Sequence, residues 1–145
     1  MKNQMVVGFV FSVNLSSVVL IRKSKPAWQY GLLNGVGGKK NDDDANLTYT
    51  MMREYEEEAG VKTNYYDWNK FAILEGSDWA VNCFYAVSDE IFMQSKTKEN
   101  EQIEKIRVSK LTEEKTLYNL QWLIPLALNC TQNVFAGLPI CIYYK

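Results

Sequence analysis

With 145 residues, 47% of them hydrophobic and 23% charged, the sequence suits one globular domain spanning 1–145 and excludes a fibrous or largely disordered chain. A formal net charge of −1, a pI near 5.5 and the lack of a basic tract argue against a nucleic-acid polymer as partner, but leave room for a small anion that arrives with a cation. No histidine is present, which removes the usual general base and the usual zinc ligand, so acid–base or metal chemistry falls to carboxylates, tyrosines, lysines or cysteines.

In chain order, Met5–Val13 and Ser17–Ile21 are rich in Val, Phe and Ile, and the break at Asn14-Leu15-Ser16 predicts an antiparallel hairpin. Lys2 followed by an apolar run is not read as a signal peptide, because Asn14 and Ser16 interrupt it and Arg22-Lys23 follow without a cleavage site. Residues 24–44 read as loop and short strand, punctuated by Pro26, Gly31, Gly35, Gly37 and Gly38. A helix is predicted from about Asn46, a natural N-cap, to Ala59, with Gly60 as its stop. Strands follow at Lys70–Glu75, Trp79–Val87 and Ile103–Val108. A second helix covers much of Leu120–Asn129, started late or kinked by Pro125, and Pro139–Tyr144 reads as a last strand. Strands and helices mix without regular βαβ alternation, which predicts an α/β or α+β sandwich. Cys83, Cys130 and Cys141 match no metal or redox spacing and read as reduced, mostly buried thiols of a cytoplasmic protein. No stretch approaches the roughly 18 apolar residues of a membrane span, so no membrane partner is expected.

The chemistry concentrates in Arg53-Glu54-Tyr55-Glu56-Glu57-Glu58-Ala59-Gly60-Val61. On a helix, Glu54, Glu57 and Glu58 stand at i, i+3 and i+4, so their carboxylates leave one face. Met51, Met52, Tyr55 and Ala59 fall on a neighbouring face that can pack on a sheet, and Glu56 points to solvent. Like charges at this spacing oppose one another by roughly 0.2–0.5 kcal/mol per pair. Carboxylates in the last turn also meet the negative end of the helix dipole, at about 0.3–1 kcal/mol each when exposed. A solvated Glu-rich face is the plain alternative, but a bound divalent cation would reverse both penalties. Magnesium is the fitting ion, since it prefers oxygen ligands and keeps waters for phosphates. Upstream, Asn34-Gly35-Val36-Gly37-Gly38-Lys39 is a Gly-rich turn that lets backbone approach a metal or phosphate closely.

Gly38–Val61 resembles the Nudix box, G-x5-E-x7-R-E-U-x-E-E-x-G-U with U bulky and apolar. Its C-terminal part matches at Arg53, Glu54, Tyr55, Glu57, Glu58, Gly60 and Val61. Its N-terminal part departs. Counted back from Arg53, the first Glu falls on Ala45 and the Gly on Lys39, whereas alignment on Gly38 needs one inserted residue and puts Asp44 at the Glu. Asp42, Asp43 or Asp44 is the substitute in a shifted loop. Pro26-Ala27-Trp28-Gln29 and Leu33–Lys39 are similar to the lead-in of MutT-like and oxidised-purine nucleoside triphosphatase members. Glu101-Gln102-Ile103 with Val108–Leu111, and Trp122–Leu126, are similar to later elements of small members of the family.

The resemblance implies a Nudix-type α/β/α sandwich with a mixed β-sheet. It implies a Mg2+-dependent hydrolase, with Mn2+ as substitute, that cleaves a pyrophosphate bond in a nucleotide-like small molecule. A (d)NTP, oxidised purines included, going to (d)NMP and pyrophosphate is the leading case. A dinucleotide, a nucleotide sugar, a capped RNA end, or a non-catalytic nucleotide-binding domain are the alternatives. The chain is expected to act as a monomer or homodimer. The implied metal ligands are Glu54, Glu57, Glu58 and the Gly37 carbonyl, with Arg53 orienting a carboxylate. A plain surface ion pair is the other reading of Arg53. Glu101 is the candidate extra ligand or general base, set against a solvated charged stretch at 96–105. Arg22, Lys23 and Lys39 are candidates for the polyphosphate, each weighed against an ordinary surface cation. Asn34 could read a base edge or simply form a turn before Gly35. Trp28 could stack on a base or anchor its loop. Asn119 could contact a base, but capping the second helix is the better reading. Trp68, Trp79 and Trp122 read as core or loop anchors.

Overall fold

The structure, a computed structural model, describes residues 1–132 and 139–145. Eight strands form one mixed sheet: β1 (Asn3–Phe11), β2 (Ser17–Arg22), β3 (Leu33–Asn34), β4 (Val36–Lys39), β5 (Asn69–Glu75), β6 (Trp79–Val87), β7 (Gln102–Arg107) and β8 (Ile140–Tyr143). Among the described residues, three α-helices accompany them: α1 (Leu47–Ala59), α2 (Asp89–Gln94) and α3 (Leu120–Thr131).

β1 is the central strand. β6 runs parallel to it along its whole length, then β5 antiparallel to β6, then β8 parallel to β5. The other edge of β1 is shared. Its last residues, Val10 and Phe11, pair with β2, and Met5–Gly8 pair with β4. β2 mirrors this division, with Val18 and Val19 on β1, Ile21 and Arg22 on β3, and β7 along its entire opposite edge. The segment Leu33–Lys39 therefore crosses from β2 to β1 and wedges the hairpin apart at its open end.

Alternation along the strands builds two cores. Val6 and Val10 of β1 with Val19 and Ile21 of β2 pack beneath α1 and α2, against Met51, Tyr55, Ala59 and Ile91. Val7, Phe9 and Phe11 with Val18 and Leu20 face α3, against Leu120, Leu123, Ile124 and Ala127. Helices thus cover both faces, as the expected sandwich requires.

α1 starts where Asn46 accepts a hydrogen bond from Tyr49 N at 3.1 Å, and stops at Gly60, whose φ of 74° suits glycine. Tyr55 is fully buried, lies edge-on to Trp68 at 5.3 Å, and shares a 2.6 Å hydrogen bond with Ser95. The apolar face assigned from the sequence is the one that packs, with Met52 half-buried and Glu56 exposed.

Three elements differ from the sequence reading. α2 was not predicted, although Ser88 caps it through Ile91 N and Asp89 and Glu90 lie in its first turn. α3 starts at Leu120, ahead of Pro125, and continues past it to Thr131. Pro125 and Gln121, the residue whose carbonyl loses its donor, are both exposed, so water can satisfy that carbonyl. Asn119 does not cap α3 with its side chain, because it already holds helical angles (φ −69°, ψ −17°). Of the cysteines, Cys83 is buried, Cys130 intermediate and Cys141 exposed on edge strand β8; all are free. No helix among the described residues is long and apolar enough to cross a membrane.

Candidate active site

The acidic face of α1 divides by burial. Glu54 is buried, Glu58 half-buried and Glu57 exposed. Glu54 fits because Gly38 on β4 has no side chain. A Cβ there would lie 2.3 Å from the Glu54 carboxyl carbon. Gly37, the next residue of the wedge, pairs with Val7 in the β1–β4 ladder.

Arg53 gathers the charges. Its Nε and Nη2 donate to the two oxygens of Asp44 at 3.1 and 3.0 Å, its Nη1 donates to Glu54 at 3.0 Å and reaches Glu57 at 3.3 Å, and its Nη2 also meets the Lys39 carbonyl at 3.0 Å. Asp44 also accepts from Asn41 N at 2.9 Å and Thr50 Oγ1 at 3.0 Å. The Arg53 guanidinium holds the Asp44 carboxyl down at about 2. Asp44 is the residue that falls on the first box Glu when Gly38 is aligned with the box glycine. The arginine fork and the Gly38–Glu54 contact both suit that register.

Burial pushes the carboxyls of Glu54 and Glu58 up, against the pull of Arg53 on the first and Lys23 on the second. Glu58 rises to about 8, with Glu54, Glu101 and Glu99 adding to the shift. Its Oε2 is buried and has no hydrogen-bond partner among the described residues. An unpaired, half-buried carboxylate is costly unless a cation faces it.

Glu101 lines the same pocket, of about 260 Å3, with Glu54, Glu57, Glu58, Ser24 and Lys25. One of its oxygens accepts Lys23 Nζ at 2.9 Å; the other accepts Ser24 N at 2.5 Å, Ser24 Oγ at 3.0 Å and Lys25 N at 3.3 Å. These donors outweigh the effect of burial and hold its carboxyl below the usual range. One turn of strand further, Arg22 forks Glu104 at 2.8 Å through both Nε and Nη2 and donates to the Gly31 carbonyl at 3.1 Å. Two carboxylates of the β7 region therefore clasp the loop that carries Trp28. Arg22 and Lys23 are engaged in these pairs, whereas the side chain of Lys39 is exposed.

On the opposite face of the sheet, beneath α3, lies a cavity of about 470 Å3. Met5, Val7, Leu74, Val81 and Leu123 make its walls, and Trp28 and Tyr118, both mostly exposed, stand among its lining. Few polar groups reach it, chiefly Gln29, Asn34 and Asn119. The Asn119 Oδ1 is buried without a partner among the described residues. Asn34 sits on the wedge with Gly38, so one short segment touches both the cavity and the acidic face. Trp68 is buried and donates to Thr63 at 2.8 Å, while Trp79 and Trp122 pack partly buried against the α3-side core.

Gly38, Gln29, Tyr118 and Tyr144 were not picked from the sequence as site residues, and Asp44 only as one of three aspartates that could replace the first box Glu. Gly38 carried a signal in the box glycine, and Asp44 in the inserted register; the others become visible only through the cavity they share.

Among the described residues, no three carboxylate or thiolate side chains converge closely enough to hold a metal in the arrangement seen here. The donor set nonetheless suits a hard cation: it is all oxygen, Glu58 Oε2 is unpartnered, and Gly38 seats Glu54 beside it.

No protein-family model matches the chain, and no curated protein matches it in sequence. Solved structures do resemble it in fold. A MutT structure from work on Aliivibrio salmonicida and Vibrio cholerae superposes with a TM-score of 0.73 at 17% identity, covering 90% of this chain and 99% of that one. The Nudix domain of Shewanella oneidensis NrtR, solved with ADP-ribose, gives 0.70 at 15% identity, covering 90% of this chain and 89% of that one. A MutT protein of Bacillus halodurans gives 0.66 at 18% identity, covering 99% of this chain and 90% of that one.

Proposed function

We propose that this chain, which has the Nudix fold, is a divalent-cation-dependent pyrophosphohydrolase of nucleotide-like small molecules. The observation that carries the reading is the pairing of two unlike sites across one wedge. A carboxylate face with an unpartnered oxygen on Glu58 lies on one side of β3–β4, and an apolar cavity with few polar groups lies on the other. Such a cavity suits a base, and such a face suits a cation-bound phosphate.

Glu54, Glu57 and Glu58 would hold the ion, with the Gly37 carbonyl as a further ligand; magnesium is the leading choice and manganese its substitute. When bound there, the cation supplies neutralisation of phosphate charge and acidification of an attacking water. Arg53 stays out of the substrate's way. It fixes Asp44, Glu54 and the Lys39 carbonyl relative to α1, and so keeps the carboxylate face and the glycine wedge in register. Glu101 is the candidate for the water's proton or for a further ligand, and to do either it leaves some of its donors at Lys23 and Ser24. Lys23, once released, is positioned for the polyphosphate. Lys39 is solvent-facing and free to move toward it. Arg22, forked by Glu104, supports the loop that carries Trp28.

The leading substrate is a (d)NTP cleaved to (d)NMP and pyrophosphate, with an oxidised purine among the bases to be tried. The second reading is a nucleoside diphosphate linked to a sugar, favoured by the ADP-ribose complex of the NrtR domain. Free thiols at three positions suit a reducing cytoplasm. Pyrophosphate and phosphate release across a panel of nucleoside triphosphates, dinucleotides and nucleotide sugars, with and without magnesium, tests the assignment. Turnover on no member under any cation would overturn it.

A further inference from the structure

The amide of Asn34 has a forced orientation. Gly35 N–H donates to its Oδ1 at 2.8 Å. A backbone N–H can only donate, so the atom it meets is oxygen and the Asn34 NH2 points the other way. That NH2 donates to Gln29 Oε1 at 3.3 Å. A donor needs an acceptor, so the Gln29 oxygen faces Asn34 and the Gln29 NH2 faces away from it. No described acceptor takes that NH2, and Gln29 lines the 470 Å3 cavity. The cavity also holds the unpartnered Asn119 Oδ1. It thus carries one donor group on half-buried Gln29 with no described protein acceptor, whose polarity is set by a chain beginning at the Gly35 backbone, and one buried acceptor without a partner among the described residues.

We propose that Gln29 is the specificity-determining donor of this cavity, and that Asn34 is a positioning residue that fixes its polarity. The ligand group is a nucleobase edge that offers a ring nitrogen or carbonyl oxygen to Gln29 and an N–H to Asn119. This deepens the reading of the cavity as a base site and rests on it. The Asn34 Oδ1 and one N–H of its side-chain amide are engaged within the protein, and its influence on Gln29 passes through that N–H. Replacement by aspartate reverses the chain. The Gly35 N–H keeps its acceptor, the second carboxylate oxygen then takes the Gln29 NH2, and the Gln29 amide turns its oxygen into the cavity.

The test is equilibrium binding of uncharged nucleosides, so that an added carboxylate exerts no long-range repulsion on the probe. Guanosine, adenosine, inosine and 8-oxoguanosine are titrated into the wild type, Gln29→Ala, Asn34→Asp and the double variant, each first checked by thermal melting. Asn34→Asp is expected to weaken the preferred nucleoside by about 10- to 100-fold, as for a polar group left facing a like partner. In the Gln29→Ala background the same change is expected to alter affinity less than about twofold, because the coupled partner is gone. An undiminished effect of Asn34→Asp in that background would mean that Asn34 touches the base itself, and would overturn the proposal. So would wild-type affinity in both single variants. If the wild type binds no nucleoside, the base-site reading fails along with it; if it binds and the variants do not differ, only this inference fails.

Discussion

Asp44→Asn isolates the contribution of the Arg53 fork. The Asp44 carboxylate collects Arg53, Asn41 N and Thr50 Oγ1; its side chain is 8% exposed and that of Arg53 25%, so solvent screens the pair in part. Its carboxyl falls from 3.8 to about 2. At 1.36 kcal/mol per unit, that shift makes the ionised carboxylate worth about 2 kcal/mol to the folded state. The folded value is the lower one, so this stability is present in full above pH 4 and fades as pH falls through 2. Urea unfolding of wild type and Asp44→Asn is expected to differ by about 2 kcal/mol at pH 7 and by about half of that at pH 3. Near neutrality the melting temperature of the variant should fall by roughly 8 °C. Equal stability at pH 7 would show that the fork contributes nothing, and a difference that does not shrink toward acid would show that it acts through something other than the carboxylate's charge.

Gly38→Ala places a methyl at 2.3 Å from the Glu54 carboxyl, so the carboxylate must move; calorimetry should show about 1–3 kcal/mol lost, together with weaker stabilisation by magnesium. If magnesium stabilises the variant as well as it does the wild type, the seat of Glu54 is not part of a cation site. Glu58→Gln tests the buried carboxylate in the metal-free protein. The folded value of about 8 lies above the unfolded one, so wild type loses stability as pH rises from about 4.5 through 8, and the variant, with no charge to bury, should not. Parallel pH–stability curves for the two proteins would refute this. Glu101→Gln removes the charge that clasps Lys23 and Ser24, and steady-state kinetics will separate two roles. A KM rise with kcat within about tenfold is expected for a loop clasp, against the loss of about 100-fold or more in kcat that removal of a general base would bring.

The parts of this molecule that could be read from its sequence are those written in local signals. The α1 boundaries follow from Asn46 and Gly60, its buried face from the spacing of Met51, Tyr55 and Ala59, and the hairpin from Asn14-Leu15-Ser16 between two apolar runs. The box carboxylates could be placed on one face because three and four residues make a helical turn. What local spacing could not supply was the identity of partners far along the chain. Glu101 and Lys23 meet across β7 and β2, as do Glu104 and Arg22, and no periodicity announces which strand a charged residue will face. The orientation of Gln29 depends on a hydrogen-bond chain through Asn34 that only folding assembles. Asn119 illustrates a misleading local signal: it precedes α3 as a cap would, yet it is already helical and its oxygen faces no partner among the described residues. The short helix α2 was missed despite its cap, because six residues give too few turns for an apolar period to register.

Glu57→Gln is the most direct test of the central claim, because the Glu57 side chain is 48% exposed and its loss should leave the fold intact. Pyrophosphate and phosphate release from the nucleotide panel should depend on magnesium in the wild type and fall by about 100-fold or more in the variant, at unchanged melting temperature. Turnover that persists in Glu57→Gln, or that ignores magnesium, would contradict a cation site on the acidic face of α1.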